Sequence, residues 1–539
     1  MRTRTRTGRS VVIGVDSSTQ STKAAAVDAA TGELLAVGRA PHTVTGTGGA
    51  RESDPGEWWT ALVTAVRAAV RDAGVPAATV TGIAVAGQQH GLVALGPDGR
   101  PLRPALLWND TRSAPEAAAL AAALGGPESW LERTGSVPVA AVTAAKWQWL
   151  RAHEPAHAAA TTAVRLPHDH LTERLTGHAV TDPGDASGTC WYGAGAGAGG
   201  GAGTEEGAGA GVEAGSATEA GAGTEAGPGT GTGAVRGGGY DPEILDLLGL
   251  DPALLPDVAP SGATRVGTLT AAAAEALGLP RTVVVAAGTG DNMAAAVGLG
   301  LGGAGLLDHP VVSLGTSGTV FAATRTRPAA PGLAGFAATD GTYLPLGCTL
   351  NCTLAVDRFA ALLGLDREDT APGGDAGVVV LPYLDGERTP DLPHAAGLVT
   401  GLRHTTDPRA VLGAAYEGAA FTVLRALDGL LAACGLDLTD PAVRDRPLRL
   451  IGGGARGRAW TDTVRRLSGR PLVVPAAEEL VALGAAALAA AAVTGEDPVT
   501  LARSWGTGEG ELLPPLARST ETWDRIAGVL TAASPELLS

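Results

Sequence analysis

Two short polar turns in the sequence carry residue types that bind phosphate. In the first, Asp16-Ser17-Ser18-Thr19 follows the apolar run Val11–Val15, and Lys23 comes shortly after it. An acid at a strand end can hold a hydrated Mg²⁺, while backbone N–H groups in a turn of small hydroxyl residues can bind phosphate oxygens. From these residues alone, an ordinary hairpin turn with a solvated acid explains the pattern equally well.

The second turn is Gly315-Thr316-Ser317-Gly318, which follows the apolar run Val311–Leu314. Its glycines let the backbone approach an anion closely, and its hydroxyls add hydrogen-bond donors. If the two turns face each other, they form a phosphate clamp built from two hairpins. The sequence has no G-x-x-x-x-G-K-[ST] motif, which excludes a P-loop enzyme.

A third cluster, Gly288-Thr289-Gly290-Asp291-Asn292, places a carboxylate at a predicted strand end with little steric cover. Such a carboxylate could accept a proton from a substrate hydroxyl. Asn292 is one of only three asparagines in the chain and would orient that hydroxyl. A turn acid that caps a helix beginning near Met293 is the alternative interpretation.

Amide and aromatic side chains gather in two further stretches, Gln88-Gln89-His90 and Trp108-Asn109-Asp110. Amides, a histidine and an indole are what a polyol pocket needs, because they combine directed hydrogen bonds with an apolar face. A capped helix start with a core tryptophan would account for the same residues.

A glycine turn, Gly452-Gly453-Gly454-Ala455, follows a predicted strand and could form a flat shelf for adenine or ribose, although a tight strand-to-helix turn explains it as well. Metal interpretations of the remaining candidates are poor. Cys348 and Cys352 lack a second cysteine pair, and His168-x-His170 lacks partners at a familiar ligand spacing.

Composition restricts the classes of protein that could carry these clusters. The chain has 539 residues, 45% of them hydrophobic, and a net charge of −16. Such an acidic chain does not suit nucleic acid as its main partner, because phosphate backbones need a basic face. No apolar run reaches the roughly 18–20 residues that span a bilayer, so we expect no membrane partner and a cytoplasmic location. Four cysteines in so long a chain imply no disulfide framework.

The elements that must position the clusters follow a repeated plan. Val11–Asp16 and Lys23–Asp28 are predicted strands around the first turn, and Val311–Leu314 and Thr319–Ala323 are predicted strands around the second. Two such hairpins about 300 residues apart indicate an internally duplicated α/β protein with a cleft between its halves. Other predicted strands are Glu33–Gly38, Val80–Gly87, Val283–Ala287 and Arg449–Ile451. Predicted helices are Gly56–Val75, Ala114–Leu124, Ala141–His153, Leu166–Leu175, Arg458–Ser468 and Glu478–Thr494.

One stretch departs from this plan. From Gly193 to Gly239 the chain is almost all Gly, Ala, Thr and Glu, and Gly fills 20 of the 47 positions. A segment of this composition cannot bury a core, so the sequence predicts a flexible surface insert there.

At these clusters the sequence resembles the FGGY family of carbohydrate kinases, and the matching motifs run in family order from about residue 11 to residue 530. The motifs are Gly14–Thr19 with Lys23, Ala86–Gly91, Leu107–Asp110, Thr181–Thr189, Gly290–Asn292, Ser313–Gly318, Leu381–Pro390, Ile451–Arg456 and Ala482–Ala486. Leu381–Pro390 (LPYLDGERTP) is the most specific of them.

The resemblance implies an α/β fold of two actin-like (ribonuclease H-like) domains with a cleft between them. On that basis we expect a disordered basic tail at residues 1–10 and a sugar-binding domain at 11–258, which contains the insert 193–239. A nucleotide-binding domain is expected at 259–539, and a homodimer is left open.

The resemblance also implies roles for individual residues. Asp291 would be the catalytic general base, and Asp16 would face Mg²⁺, through water. The predicted sugar-binding residues are Gln89, His90, Trp108, Asp291 and Asn292. The predicted ATP-binding residues are Ser18, Thr19, Lys23, Gly315, Thr316, Ser317, Gly453, Gly454 and Ala455.

The implied activity is ATP-dependent phosphorylation of a ketopentose, with D-xylulose as the first candidate. Ser18 stands where the family usually has Gly, Gln89 where Met is frequent, and Ala145 where Pro is common. None of these changes removes a catalytic group, but Gln89 leaves the sugar open. Kinases for glycerol, ribulose or rhamnulose and a catalytically silent sugar sensor are the alternatives.

Overall fold

Two seven-stranded sheets form the framework of the computed structural model. It describes residues 9–193, 239–303, 307, 309–328, 330, 332–371, 377–392, 394–533 and 538. The predicted tail therefore lies outside the described residues except for Arg9 and Ser10. Most of the predicted insert, residues 194–238, also lies outside them.

The first half of the chain contributes short strands and helices in alternation. Its strands are β1 (Val11–Ser17), β2 (Ser21–Asp28), β3 (Leu34–Pro41), β4 (Glu52–Ser53), β5 (Val80–Gly87), β6 (Val93–Leu95), β7 (Ala105–Leu106), β8 (Ala163–Arg165), β9 (Val180–Thr181), β10 (Tyr192–Gly193), β11 (Gly239–Tyr240), β12 (Asp257–Val258), β13 (Arg265–Thr268), β14 (Val284–Ala286) and β15 (Thr289–Gly290). Its α-helices are α1 (Pro55–Ala73), α2 (Ala114–Ala122), α3 (Pro127–Thr134), α4 (Thr143–His153), α5 (Pro155–Ala160), α6 (Pro167–Thr176), α7 (Pro183–Ser187), α8 (Pro242–Leu248), α9 (Ala271–Leu277) and α10 (Asp291–Gly298).

The second half repeats the mixture with longer helices. Its strands are β16 (Val311–Leu314), β17 (Gly318–Phe321), β18 (Leu333–Ala337), β19 (Tyr343–Thr349), β20 (Val379–Leu381), β21 (Leu398–Thr400), β22 (Leu448–Ile451), β23 (Leu472–Pro475) and β24 (Gly510–Leu513). Its α-helices are α11 (Thr353–Leu363), α12 (Pro408–Ala433), α13 (Pro441–Arg444), α14 (Arg458–Ser468), α15 (Leu480–Thr494), α16 (Pro498–Ser504) and α17 (Thr520–Ala532).

Both sheets have the same internal plan. In the first, the order is β13-β14-β5-β1-β2-β3, with β1 antiparallel to β2 and parallel to β5. In the second, the order is β18-β19-β17-β16-β22-β23-β24, with β16 antiparallel to β17 and parallel to β22. The two predicted hairpins therefore occupy equivalent positions in two similar sheets, which confirms the predicted duplication.

The pairing of late strands moves the predicted boundary between the halves. We placed this boundary after residue 258, but β14 pairs in parallel with β5, and β15 pairs with the end of β5. Residues 265–290 thus complete the first sheet, because strands pair through backbone hydrogen bonds whatever their separation along the chain. We call the described residues from 9 to 298 the first lobe, and those from 309 to 475 together with β24 the second lobe.

Helices α10 and α15 lie between the two sheets and hold the lobes together. One side of this pair packs on β1 and β5 through small residues such as Ala486. On the other side, Met293 and Leu480 pack in the core of the second sheet. The helices approach so closely that a Cβ on Gly484 would lie 1.8 Å from the carbonyl oxygen of Ala294. Helix α15, although it follows the second lobe's strand β23 in the chain, therefore covers the first sheet.

Helix α12 is the core helix of the second lobe. It is long and apolar enough to cross a membrane, yet 94% of its most apolar window is buried inside the protein. Trp460 of α14 and Phe421 of α12 itself belong to the same core. Its apolar character is thus explained by packing against the second sheet.

The two ends of the predicted insert meet. Tyr192 pairs with Tyr240 and Gly193 with Gly239, so β10 and β11 form a short antiparallel ladder. The outermost residues of the predicted insert are therefore part of the folded first lobe, and the residues between them are the part that lies outside the described structure.

Replacing Gly484 with Ala should destabilise the protein, because the new methyl group would collide with the backbone of α10 at Ala294 and Gly298. We expect a loss of about 1–3 kcal/mol in the free energy of unfolding, as in other overpacked cores. Denaturant titration measures it. Gly429→Ala in α12 is the matched control, since a Cβ there meets nothing within 4 Å and Ala favours helix. Equal stability of the two variants would contradict the close contact of α10 with α15.

Candidate active site

The first turn sits at the end of the β1–β2 hairpin and holds a buried carboxylate. Asp16 is only 4% exposed, and its Oδ1 accepts a hydrogen bond of 2.5 Å from the Ser18 hydroxyl. Burial raises the pKa of Asp16, while the hydroxyl of Ser18 and the charge of Lys23 oppose that rise. Residues 16–20 are called the first tip below.

Lys23, a predicted ATP-binding residue, lies between two carboxylates. Its Nζ lies 2.6 Å from Glu479 Oε2 and 3.8 Å from Asp16 Oδ2. The ammonium group thus joins β2 to the start of α15 and offsets part of the negative charge of the two carboxylates. Glu479 was missed at the sequence level, because nothing near residue 479 signals a partner so far away in the chain.

The second tip, Gly315–Ser317, is held by hydrogen bonds within the turn and from Thr353. Gly315 donates its N–H to the carbonyl of Ser317 at 3.1 Å, which closes the turn. The carbonyl of Gly315 accepts from the N–H and the hydroxyl of Thr353, at 3.1 and 2.8 Å. Thr316 is exposed at the apex, so its hydroxyl and the neighbouring backbone face outward as a binding turn requires.

The glycine turn after β22 lies beside the second tip. A Cβ on Gly454 would lie 2.8 Å from Leu314 Cβ and 3.0 Å from Thr353 Cγ2, so only glycine fits. Gly453 is exposed, and a Cβ there would meet nothing within 4 Å. The turn is therefore packed on one side against the strand of the second tip and open on the other.

A hydrogen-bonded group of amides surrounds Asp291. The Nδ2 of Asn292 donates to Gln89 Oε1 at 2.8 Å and to Asp291 Oδ1 at 3.1 Å. The strand pairing of Gly290 with Gly87 brings these residues together. A Cβ on Gly290 would lie 2.7 Å from Gln89 Cγ, so the glycine is what permits this approach. The structure thus unites three predicted sugar-binding residues.

His90 is held in one tautomer. Its backbone has a φ of 64°, a left-handed conformation that is strained for a residue with a side chain. The ring Nδ1 lies 2.7 Å from the carbonyl of Gly188, which can only accept, so Nδ1 carries the hydrogen. Burial, reinforced by the charges of Lys146 and Arg388, lowers the pKa of His90 to about 3. The neutral ring therefore presents Nε2 as an acceptor.

Trp108 links the sugar side of the cleft to the first tip. Its indole N–H donates to the Thr19 hydroxyl at 3.0 Å, and the side chain is 40% exposed. An exposed indole anchored at its polar end offers an apolar face to a ligand. The predicted sugar-binding and phosphate-binding residues are thereby in direct contact.

The carboxylate of Asp291 has an unusually high affinity for protons. Burial, followed by the negative charges of Asp16 and Asp185, raises the pKa of Asp291 to about 7. The backbone N–H of Asn292 donates to it at 2.8 Å and opposes the rise. A carboxylate of this kind is suited to accept a proton at neutral pH.

Three further buried acids behind Asp291 were missed as site residues by sequence reasoning. Burial raises the pKa of Asp169 and Asp182 to about 6 and that of Asp185 to about 8. Asp182 caps α7 and accepts the hydroxyl hydrogen of Thr289 at 2.8 Å. The Asp182-Pro183 pair is a helix-start signal, but nothing in the sequence indicates that these acids lie behind Asp291.

The imidazole of His168 connects two of these acids. Its Nδ1 donates to Asp185 Oδ2 at 2.7 Å, and its Nε2 lies 3.3 Å from Asp169 Oδ1. The ligand atoms of the three residues lie within 4.8 Å of one another, close enough for a metal ion. Since both ring nitrogens already face carboxyl groups, we interpret the group as a buried triad of polar side chains joined through the imidazole.

Comparisons with known proteins match this geometry to a family. Residues 11–196 and 224–298 match the FGGY family of carbohydrate kinases, N-terminal domain, and residues 311–493 match the C-terminal domain. Relatives named "Xylulose kinase" from Streptomyces rubiginosus and Streptomyces coelicolor are each 52% identical, over 98% of this chain and 97% of theirs. The crystal structure of a "xyloylose kinase" from Brucella ovis is similar with a TM-score of 0.81 and 29% identity, covering 98% of this chain and 99% of that one. The predicted two-domain α/β fold is confirmed.

Proposed function

The chain belongs to the FGGY family of carbohydrate kinases, and we propose that it transfers the γ-phosphoryl group of ATP to the C5 hydroxyl of D-xylulose. The observation that carries the proposal is the position of Asp291. Its carboxylate lies beside amides suited to a polyol and within electrostatic reach of Asp16 in the first tip. The two relatives at 52% identity, both named xylulose kinase, support D-xylulose as the acceptor.

Asp291 is the proposed general base. Transfer to an alcohol needs little covalent help from the protein, but the hydroxyl proton must have somewhere to go. With a pKa of about 7, ionised Asp291 is a stronger base than an ordinary carboxylate. The proton of the attacking hydroxyl would move to Asp291 as the oxygen–phosphorus bond forms.

The hydroxyl groups of the sugar would be oriented by neutral groups around the base. Gln89 and Asn292 offer amide donors and acceptors, and the neutral Nε2 of His90 accepts a hydroxyl hydrogen. Trp108 would cover an apolar C–H face of the sugar. Neutral partners bind a polyol without changing the charge around Asp291.

The nucleotide would bind between the tips and the glycine shelf. The backbone and hydroxyls of the first tip (Ser18, Thr19) and of the second tip (Gly315–Ser317) are suited to the phosphates. The open surface of Gly453, next to Gly454 and Ala455, suits a flat base or ribose. Lys23 would contribute through its ion pairs, as a positive charge beside Asp16.

The residues present suit a magnesium ion, which this family of reactions requires. Asp16 supplies a carboxylate with Oδ2 engaged only distantly by Lys23, at 3.8 Å. Oxygen ligands are the ones Mg²⁺ prefers, and it usually keeps several waters. The ion would supply charge neutralisation at the β- and γ-phosphates.

Replacing Asp291 with Asn should lower kcat by at least about 100-fold, since the amide cannot accept the proton. The dissociation constant for D-xylulose should change by less than about threefold, because the lost interaction is made in the transition state. Coupled ADP release measures the first and calorimetry the second. Asp246→Asn, an exposed acid on α8, is the control. Near-normal turnover of Asp291→Asn would remove the residue from its role.

The pH profile provides an independent check. Only ionised Asp291 is a base, so activity should be lost as pH falls below its pKa of about 7. We expect kcat/KM for MgATP, at saturating sugar, to fall by about tenfold per pH unit below pH 7 and to level off above pH 8. Rates measured from pH 5.5 to 9 with coupling enzymes in excess decide it. A flat profile between pH 5.5 and 8 would contradict the raised pKa.

A substrate panel tests the choice of sugar. ADP release should be fastest with D-xylulose, and kcat/KM should exceed that for D-ribulose, L-rhamnulose and glycerol by at least about tenfold. The reason is that a pocket built to hydrogen-bond a given set of hydroxyls leaves polar groups unpaired with the others. A clear preference for another acceptor would overturn D-xylulose while leaving a sugar kinase. No stimulation by any of them would favour a sugar sensor.

A further inference from the structure

The most specific motif of the sequence, Leu381–Pro390, has no part in the mechanism so far. It leaves β20 and turns sharply at Asp385 and Gly386, whose φ angles are 60° and 99°. After this turn Glu387 is buried, only 1% exposed, whereas Arg388 is exposed. We therefore expect Glu387 to act within the fold and Arg388 to act at the surface.

Glu387 is fixed entirely by N–H groups. Its Oε1 accepts from the backbone of Leu350 at 2.6 Å and of Arg388 at 2.8 Å. Its Oε2 accepts from the backbone and the side chain of Asn351, at 3.2 and 3.1 Å. The carboxylate therefore ties the motif to the turn between β19 and α11, and one of these bonds fixes the backbone of Arg388 itself.

The turn between β19 and α11 supports the second tip. Thr353, just after the turn, holds the carbonyl of Gly315 with its N–H and its hydroxyl. On the other side, the hydroxyl of Thr389 donates to the carbonyl of Cys348 at 2.9 Å, and Cys348 pairs with Thr319 beside the tip. The residues on both sides of Arg388 thus contact segments that support the second tip, which is predicted to bind phosphate.

The guanidinium of Arg388 lies within electrostatic reach of His90 in the first lobe. It lies against the thiol of Cys348, where its charge and hydrogen bond oppose the rise in pKa that burial causes. Cys348 packs against the apolar cluster that contains Phe336 of the second sheet and Met293 of the first lobe. The ring of Phe336 lies 5.6 Å from that of His90 in the proposed sugar site. Arg388 therefore lies between the second tip and the sugar site.

The two lysines Lys23 and Lys146 are already engaged. Lys23 is paired with Glu479 and Asp16. Lys146 is 1% exposed and donates to the carbonyls of Ala140 and Ala141. A phosphoryl group that crosses to the sugar would pass an array of carboxylates, and its own negative charge would need a positive partner.

We propose that Arg388 is a catalytic residue whose guanidinium binds the non-bridging oxygens of the phosphoryl group during transfer, and that Glu387 is the positioning residue that aims it. The inference rests on the proposed function. In the step, the bond from the sugar oxygen to Pγ forms, the bond from Pγ to the β,γ-bridging oxygen breaks, and the hydroxyl proton goes to Asp291. Arg388 stays protonated throughout, since its role is charge neutralisation with bidentate geometry.

The decisive experiment compares Arg388→Ala with wild type. We expect kcat for the sugar to fall by at least about 100-fold, since an arginine on the transferred phosphoryl group is worth that or more. KM for the sugar and the melting temperature should stay close to wild type, and added guanidinium ion at millimolar concentration should restore part of the rate. Arg403→Ala, at an exposed loop position of the same lobe, should behave like wild type. A kcat within about threefold of wild type, or a loss confined to KM, would overturn the proposal.

A second readout separates this inference from the choice of sugar. Slow ATP hydrolysis without sugar moves the same phosphoryl group to water, so Arg388→Ala should lower it by a similar factor. If wild type ignores D-xylulose but Arg388→Ala still loses ATP hydrolysis, the proposed sugar fails and the role of Arg388 stands. If hydrolysis is unchanged in Arg388→Ala, the role of Arg388 fails whatever the sugar.

Glu387→Gln tests the positioning step. The amide keeps the size of the side chain but replaces one accepting oxygen with N–H, so either the N–H groups of Leu350 and Arg388 or those of Asn351 lose their acceptor. We expect a loss of kcat comparable to that of Arg388→Ala that guanidinium ion does not restore, because the arginine is still present but misplaced. Normal kcat in this variant would overturn the positioning role.

Discussion

Carboxylates withdrawn from water impose the main constraint on this structure. Burial raises the pKa of Asp16, Asp182, Asp185 and Asp291, and each ionised neighbour opposes the ionisation of the next. Such a group is tolerated only if donors reach every member. Ser18 serves Asp16, the first N–H groups of α7 serve Asp182, and His168 serves Asp185. The architecture of the cleft is largely the arrangement of these donors.

The donors arrive there because parallel strands of the first sheet end at one edge. Parallel β1 and β5 bring Asp16 and Gln89 to one edge, and β15 adds Asp291 beside them. The second sheet repeats the arrangement with β16 and β22, which place the second tip next to the glycine turn. One lobe therefore concentrates acids, amides and the imidazole of His90, while the other contributes backbone donors and Arg388. The division suits a reaction in which an anionic group passes from one partner to the other.

Local patterns predicted what depends on neighbours in sequence. The strand–turn–strand runs at Val11–Asp28 and Val311–Ala323 indicated both hairpins, because antiparallel pairing across a short turn is decided by those residues alone. The pair of Asp291 and Asn292 was likewise visible as a carboxylate between glycines and a helix. Gln89 and His90 were predicted as pocket residues because amides, a histidine and an indole together suit a polyol.

What escaped prediction depends on residues far apart in the chain. The partner of Lys23 is Glu479, 456 positions later, and no local pattern relates the two. The triad of His168, Asp169 and Asp185 depends on the packing of α6 against α7, which periodicity does not reveal. The boundary was placed too early for the same reason, since β14 joins the first sheet through a pairing with β5 that is long-range.

The base strength of Asp291 follows from opposed effects on one helix. Asp291 is the first residue of α10, where the helix dipole and the N–H of Asn292 favour its ionised form. Burial and two acidic neighbours favour the protonated form and prevail, with a pKa of about 7. This balance of effects on the pKa depends on the position of α10. The close contact of Ala294 with Gly484 of α15 fixes that position. The close packing of small residues between the sheets therefore holds Asp291, the proposed general base, in place.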